Sequence, residues 1–363
     1  MVGLRWGRVR SVGAVRPGAV ELVVELAGEA APAEALAYPE LTGPVQAGDR
    51  ILVNTTAVDL GLGTGGLHLV VGVLSEGRAG VAAAAGRVMK ARYTPLQTAV
   101  SAVEETHAEV LEASRGLEGL PVVVAPLHSM VAPVAAGAKA AGAERVAYVM
   151  TDGAALAGPF SRLVPELRGA GLLDAFVTTG QAFGGELEAV TVWSALLAAK
   201  EIAGSDVVVV ADGPGNLGTN TRWGVTALAG GHALNAAATL GGRPVAALRV
   251  SFADPRERHH GVSHHSLTIL SEVCLVPANV AVPLLDGADR EAVWGALRAA
   301  RLEERHQLVE VPGAPAIDLL AERGVEVRSM GRSPRDDPVF FLAAGAAGVL
   351  AGRMAAGARG WRV

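Results

Sequence analysis

Sulfur chemistry is almost missing from this chain. Cys274 is its one cysteine in 363 residues, which excludes an internal disulfide and any cysteine-based zinc cluster. Within Val273-Cys274-Leu275-Val276 it reads as a small buried hydrophobe. Lysine is scarce too: Lys90, Lys139 and Lys200 are the three lysines among 31 basic residues, a skew that codon bias in a GC-rich genome produces. Aromatic residues make up 4% and the net charge is -5. A nucleic-acid binder carries a basic footprint, often interleaved with aromatics, so that class is excluded. The longest membrane-like run, Phe340 to Gly352, is closed by Arg353 and is shorter than the about 20 residues of a spanning helix. It predicts a buried helix. The first ten residues scatter arginines among apolar residues, unlike a signal peptide. These absences predict a soluble, cytoplasmic protein with no nucleic-acid and no membrane partner. Disorder is excluded because half of the residues are hydrophobic and 18% are charged.

What is present falls into two parts. Residues 1–84 read as β structure: Val9–Val15 and Val20–Leu26 flank the turn Arg16-Pro17-Gly18, and Arg50–Thr56 and Leu67–Leu74 follow further glycine- and proline-marked turns. Short strands without a helical period predict a small N-terminal β-barrel of the SH3 or OB type. Residues 85–363 alternate strand-length apolar runs with helical segments. The runs are Pro121–Pro126, Arg145–Met150, Ala175–Thr178, Asp206–Ala211, Pro244–Val250, His306–Val311 and Val325–Met330. Continuous apolar runs suit strands buried on both faces, so this part is expected to be a doubly wound, mostly parallel, Rossmann-like α/β domain. Thr94-Pro95-Leu96-Gln97 has the form of a capping box and predicts a helix from Leu96 through Val110. Asp337-Pro338 predicts the start of the last long helix. Glu186–Ile202, apolar nearly all round, predicts a buried helix.

In such sheets ligands sit outside the carboxyl ends of the strands, so the residues after each run are the candidates. They include His128 and Ser129, Asp152, Gln181, the stretch Gly213 to Gly224, and Asp254 to Ser266. Gly213-x-Gly215-x-x-Gly218 has the spacing of a dinucleotide fingerprint. It lacks the acid about 20 residues on, since the next one after Asp212 is Asp254. Its physical content is a glycine-rich turn that exposes backbone N–H groups, with Thr219, Asn220, Thr221 and Arg222 as further anion donors; the bland alternative is a tight turn with a helix cap. Asp254 to Ser266 holds four of the nine histidines with Arg256 and Arg258. His259-His260 and His264-His265 suit neutral imidazoles on one metal or cationic groups around a phosphate; a polar surface loop is the plain alternative. Ser129 lacks a Gly-x-Ser-x-Gly elbow. Asp152 and Asp212 serve equally as ligand holders or helix caps.

Leu41-Thr42-Gly43-Pro44, Asn54 to Val58, Leu60 to Gly66, Arg92 to Gln97 and the Gly213-to-Arg222 loop resemble a bacterial family, the domain-of-unknown-function family numbered 3866. The resemblance runs through the whole chain. It implies a bacterial protein of this length and carries no catalytic residue over.

The leading expectation is therefore an enzyme acting on a small anionic, perhaps phosphorylated, molecule. His264 or His265, with Asp254 and Asp152, would serve as catalytic groups. Gly213, Gly215, Gly218, Thr219, Asn220, Thr221, Arg222, Arg256, Arg258, His128, Ser129 and Gln181 would hold the anion. A non-catalytic binding or sensing protein is the second reading, and a metal-dependent hydrolase the third. The sequence names no cofactor and leaves a homo-oligomer open.

Overall fold

The computed structural model describes residues 2–74 and 86–359. Spatial proximity divides the chain into Met1–Ser101 and Ala102–Val363. The boundary expected between 84 and 85 lies outside the described residues.

In the first unit, β1 (Leu4–Arg16), β2 (Ala19–Leu26), β3 (Ala33–Ala37), β4 (Arg50–Asn54) and β5 (His68–Leu74) form a closed barrel in the order β1-β2-β3-β5-β4. Pro17-Gly18 turns β1 into β2, with Arg16 opposite Ala19. Gly18 takes a φ of 73°, the left-handed position that a Pro-Gly turn requires. Val9, Leu22, Val24, Ile51, Val53 and Val70 fill the interior. β3 is an addition to the expected strands, and its parallel pairing with β5 closes the sheet.

The expected helix from Leu96 does not form. β6 (Val88–Lys90) and β7 (Thr98–Val100) make an antiparallel hairpin there. Thr94 Oγ1 donates to the Ala91 carbonyl at 2.8 Å, and Gln97 Oε1 accepts from Tyr93 N–H at 3.3 Å. The capping-box residues satisfy the backbone of the hairpin loop instead, the competition that makes such side chains ambiguous in sequence. Helix begins only at Val103.

The second unit holds β8 (Pro121–Val124), β9 (Val146–Thr151), β10 (Ala175–Thr179), β11 (Leu187–Ala189), β12 (Val207–Asp212), β13 (Arg243–Ala247), the short antiparallel pair β14 (Val250–Ser251) and β15 (Gly261–Val262), then β16 (Asn279–Pro283) and β17 (Gln307–Val311). Eight of these form a parallel sheet in the order β11-β10-β9-β12-β8-β13-β16-β17. Alternation along each strand divides the valines between two layers: Val123, Val207 and Val209 face one, and Val122, Val208 and Val210 the other.

Two further expectations need correction here. Val325–Met330 is not a strand; Val325 and Val327 are buried, but the segment ends in a tight turn in which Ser329 and Arg332 exchange backbone bonds. Its place in the sheet is taken by β16, whose apolar run is bracketed and disguised by Pro277 and Pro283. Glu186–Ile202 divides into edge strand β11 and a helix Val192–Glu201, because Thr191 caps it with Ser194 in a reciprocal capping box.

The helix after β8, Val131–Ala140, packs with the last helix, Pro338–Arg359, in one layer. The helices after β12 (Ala229–Thr239) and β13 (His264–Thr268, continued as a π-turn through Val273) pack in the other layer. The carboxyl end of β8 therefore lies between strands whose connections leave on the opposite side, which opens a crevice there. Among the described residues one helix, Pro338–Gly357, is long and apolar enough to cross a membrane, and 78% of its apolar window is buried inside the protein. It is the buried helix expected from Phe340–Gly352, extended at both ends.

Candidate functional site

The crevice contains a cavity of about 380 Å³. Three strand ends build most of it: Pro126 to Ser129 after β8, Pro214 to Gly218 after β12, and Arg249 to Ser266 after β13, with Ser329 and Met330 closing one side. Among the described residues, none that lines it is acidic.

Its charged wall is organised by Asp254, whose side chain is fully buried. Arg256 donates to both carboxylate oxygens, from Nε at 2.9 Å and Nη2 at 2.7 Å, and Arg249 Nη2 adds a bond at 2.9 Å. Arg332 lies 3.7 Å away and pairs with Asp337 at 3.1 Å. The Arg256 hydrogen bond is the leading cause that holds Asp254 well below the usual carboxylate range, against the opposing effect of burial. Held that low, it is an anion at neutral pH and orients the guanidiniums of Arg256 and Arg249. Burial lowers Arg249 to about 10, still a cation at neutral pH. Arg249 Nε is buried without a hydrogen-bond partner among the described residues.

The histidine loop is ordered by its own turns. Ser263 caps the helix that follows, accepting from His265 N–H, and its hydroxyl lies 2.8 Å from His259 Nδ1. This brings His259, His264 and His265 together, with ring centroids 3.9 Å apart for the last two and 5.2–5.4 Å from His259. Burial is the leading cause that pushes His259 down to about 3 and His265 down to about 4, and it also lowers His264. Nearby arginines add to it. The cluster is therefore uncharged at neutral pH, whereas a phosphate clamp made of imidazolium groups requires protonation.

The β12 loop contributes its first half. Gly215 has a φ of 91° with open space around its α-carbon, and the N–H groups of Gly215, Asn216 and Leu217 find no acceptor among the described residues. Asn216 is steered by Asp212, which accepts from its Nδ2 at 2.7 Å. Gly213 lies behind this wall, packed beside Met150 and Ala155. Thr219 to Gly224 fold back on themselves, with Thr219 N–H bonded to the Gly224 carbonyl. Thr219, Asn220, Thr221 and Arg222 are exposed and do not line the cavity, and Arg222 pairs with Glu272 while lying over Trp223.

Other candidates are distributed as follows. His128 lines the cavity, yet both ring nitrogens are engaged, Nδ1 with Tyr148 Oη at 3.1 Å and Nε2 with Ser161 Oγ at 2.9 Å. Burial pushes it down to about 4. Ser129 lines the cavity and bonds Ser329 Oγ at 3.0 Å. Asp152 and Gln181 stay outside its lining; the Asp152 carboxylate accepts from Gln181 N–H at 2.7 Å and shapes the turn after β10. Arg258 and His264 are not part of the lining, and each keeps a buried nitrogen without a partner among the described residues. Sequence reasoning missed Arg249, and it singled out His259, Ser263 and Ser266 only as members of the Asp254–Ser266 stretch. Arg249 carried a signal, a lone charge in the run Ala246-Ala247-Leu248-Arg249-Val250, because a charge buried at a strand end needs a partner such as Asp254.

The family model described as "Protein of unknown function (DUF3866)" matches residues 34–348. No curated protein and no solved structure matches the chain. The chain belongs to this family.

Proposed function

For this member of the DUF3866 family we propose a cytoplasmic enzyme that binds a small phosphate- or carboxylate-bearing molecule in the cavity at the end of β8 and acts on it there. The observation that carries the reading is the charge balance of the wall. Three guanidiniums, of Arg249, Arg256 and Arg332, share Asp254 and Asp337, and of these five groups Arg249 and Arg256 line the cavity while neither carboxylate does. The unpartnered Arg249 Nε supports it, because a buried donor of this kind costs about 1–3 kcal/mol unless a ligand satisfies it. The N–H groups of the Gly215–Leu217 segment and the Ser129 hydroxyl add donors suited to anion oxygens. The uncharged imidazoles of His259 and His265 supply electron pairs at the same wall, the feature that favours chemistry over mere binding.

Calorimetric titration with inorganic phosphate tests the binding. We expect one site per chain, weakened about 10- to 100-fold by Arg256→Ala, as for loss of a hydrogen bond to a charged group worth ~1.5–3 kcal/mol. Arg222→Ala should leave it unchanged. Equal affinity in Arg256→Ala, or loss in Arg222→Ala instead, contradicts the reading. Product release from a panel of small phosphomonoesters and carboxylate esters tests the chemistry. Ligands that bind but are recovered intact would support the binding-protein reading.

A further inference from the structure

The geometry points to a divalent transition-metal site made by His259, His264 and His265, with its open position on the cavity. One nitrogen of each ring lies within 4.8 Å of those of the other two. Small ring rotations bring that spread to the ~3.4 Å separation of ligands around a tetrahedral ion with metal–nitrogen bonds of about 2.0–2.1 Å.

A second observation is independent of the spacing. His264 Nε2 and His265 Nε2 are both buried and have no hydrogen-bond partner among the described residues. Two adjacent orphaned imidazole nitrogens are an unusual expense in a protein interior, and one Lewis acid satisfies both. His259 completes the set through Nε2 if its Nδ1–H donates to Ser263 Oγ at 2.8 Å, the outer hydrogen bond that metal-bound histidines ordinarily make. The donor set selects the ion: three imidazoles with no carboxylate suit zinc, cobalt, nickel, copper or iron, and not magnesium or calcium, which prefer oxygen. His259 and His265 line the cavity, so the fourth position faces the space where the anion is proposed to sit. Only the identity of the fourth ligand rests on the anion-site reading; the three-histidine site does not.

The test separates the two. Protein freed of its purification tag and stripped with a chelator is titrated with Co²⁺ in the absence of phosphate. We expect one equivalent to give the intense visible bands of tetrahedral cobalt, displaced by Zn²⁺. His264→Ala and His265→Ala should each weaken cobalt binding at least 100-fold, and Ser263→Ala about 10- to 100-fold, as for outer-shell partners. His260→Ala, an exposed neighbour packed on Phe252, should bind as the wild type does. The wild-type spectrum needs no variant, so a misfolded mutant leaves the test intact. Octahedral, weakly coloured cobalt, or equal affinity in His264→Ala and His265→Ala with native circular dichroism, overturns the site. Phosphate titration of the stripped protein then reads the other claim: binding without cobalt binding sinks the metal alone, and cobalt binding without phosphate binding sinks the anion site alone.

Discussion

Neutralising Asp254 would leave the buried Arg249 and the half-buried Arg256 and Arg332 around an uncharged centre. Arg249 and Arg256 both bond its carboxylate, which is fully buried, and breaking a buried pair from one side costs about 3–5 kcal/mol. Asp254→Asn should therefore lower the unfolding free energy by about 3 kcal/mol in urea titrations, although it sits outside the cavity lining. A loss within ~0.5 kcal/mol would mean the arginines do not depend on it. Because its pKa is depressed in the folded state, its contribution is present above the unfolded value near 4 and fades only in stronger acid. His128 behaves in the opposite chemical sense with the same sign. Burial holds it at about 4 when folded against about 6.5 when unfolded, so the unfolded chain takes up its proton first. Stability should be flat above pH 6.5 and fall between 6.5 and 4. Comparing melting temperatures of the wild type and His128→Gln across that window isolates the term: the variant should show the shallower slope, and parallel slopes would count against a buried neutral His128.

At the scale of elements, close helix packing depends on glycine. A Cβ on Gly348 would run into the Val134 carbonyl, and one on Gly137 into the Gly345 carbonyl, so the backbones of Val131–Ala140 and Pro338–Arg359 approach directly. Gly348→Ala should destabilise by about 1–3 kcal/mol through overpacking. Gly357, in the same helix with nothing within 4 Å of its Cβ position, should gain about 0.5–1 kcal/mol on Gly357→Ala from helix propensity. Chemical denaturation of the pair reads both, and equal shifts would refute the packing argument. The sequence made these elements legible where one pattern acted alone. Residues 207–211 and 146–150 are continuous apolar runs, and Asp337-Pro338 opens a helix as its residues imply. It misled where two local structures use the same side chains: Thr94 and Gln97 suit a cap or a hairpin loop, and only tertiary context chooses. It was silent where prolines bracket a strand, as at Asn279–Pro283. The candidate site was legible as segments and not as atoms. The Asp254–Ser266 loop was singled out for its histidines, but which of them converge depends on the Ser263 turn, and Thr219 to Arg222 fold away through a pairing their residue types do not announce.

For the second unit as a whole, the site follows from topology. The chain leaves β8 toward one layer and β12 and β13 toward the other, so the three strand ends that supply the lining are neighbours in space while distant in sequence. The anion is expected where those ends meet and the wall is cationic. A crystal structure of the protein grown in phosphate locates it directly. The account predicts a phosphate bounded by Arg249, Arg256 and the Gly215–Leu217 backbone. An empty cavity in crystals whose ordered phosphates sit elsewhere, at Arg222 for example, would contradict it.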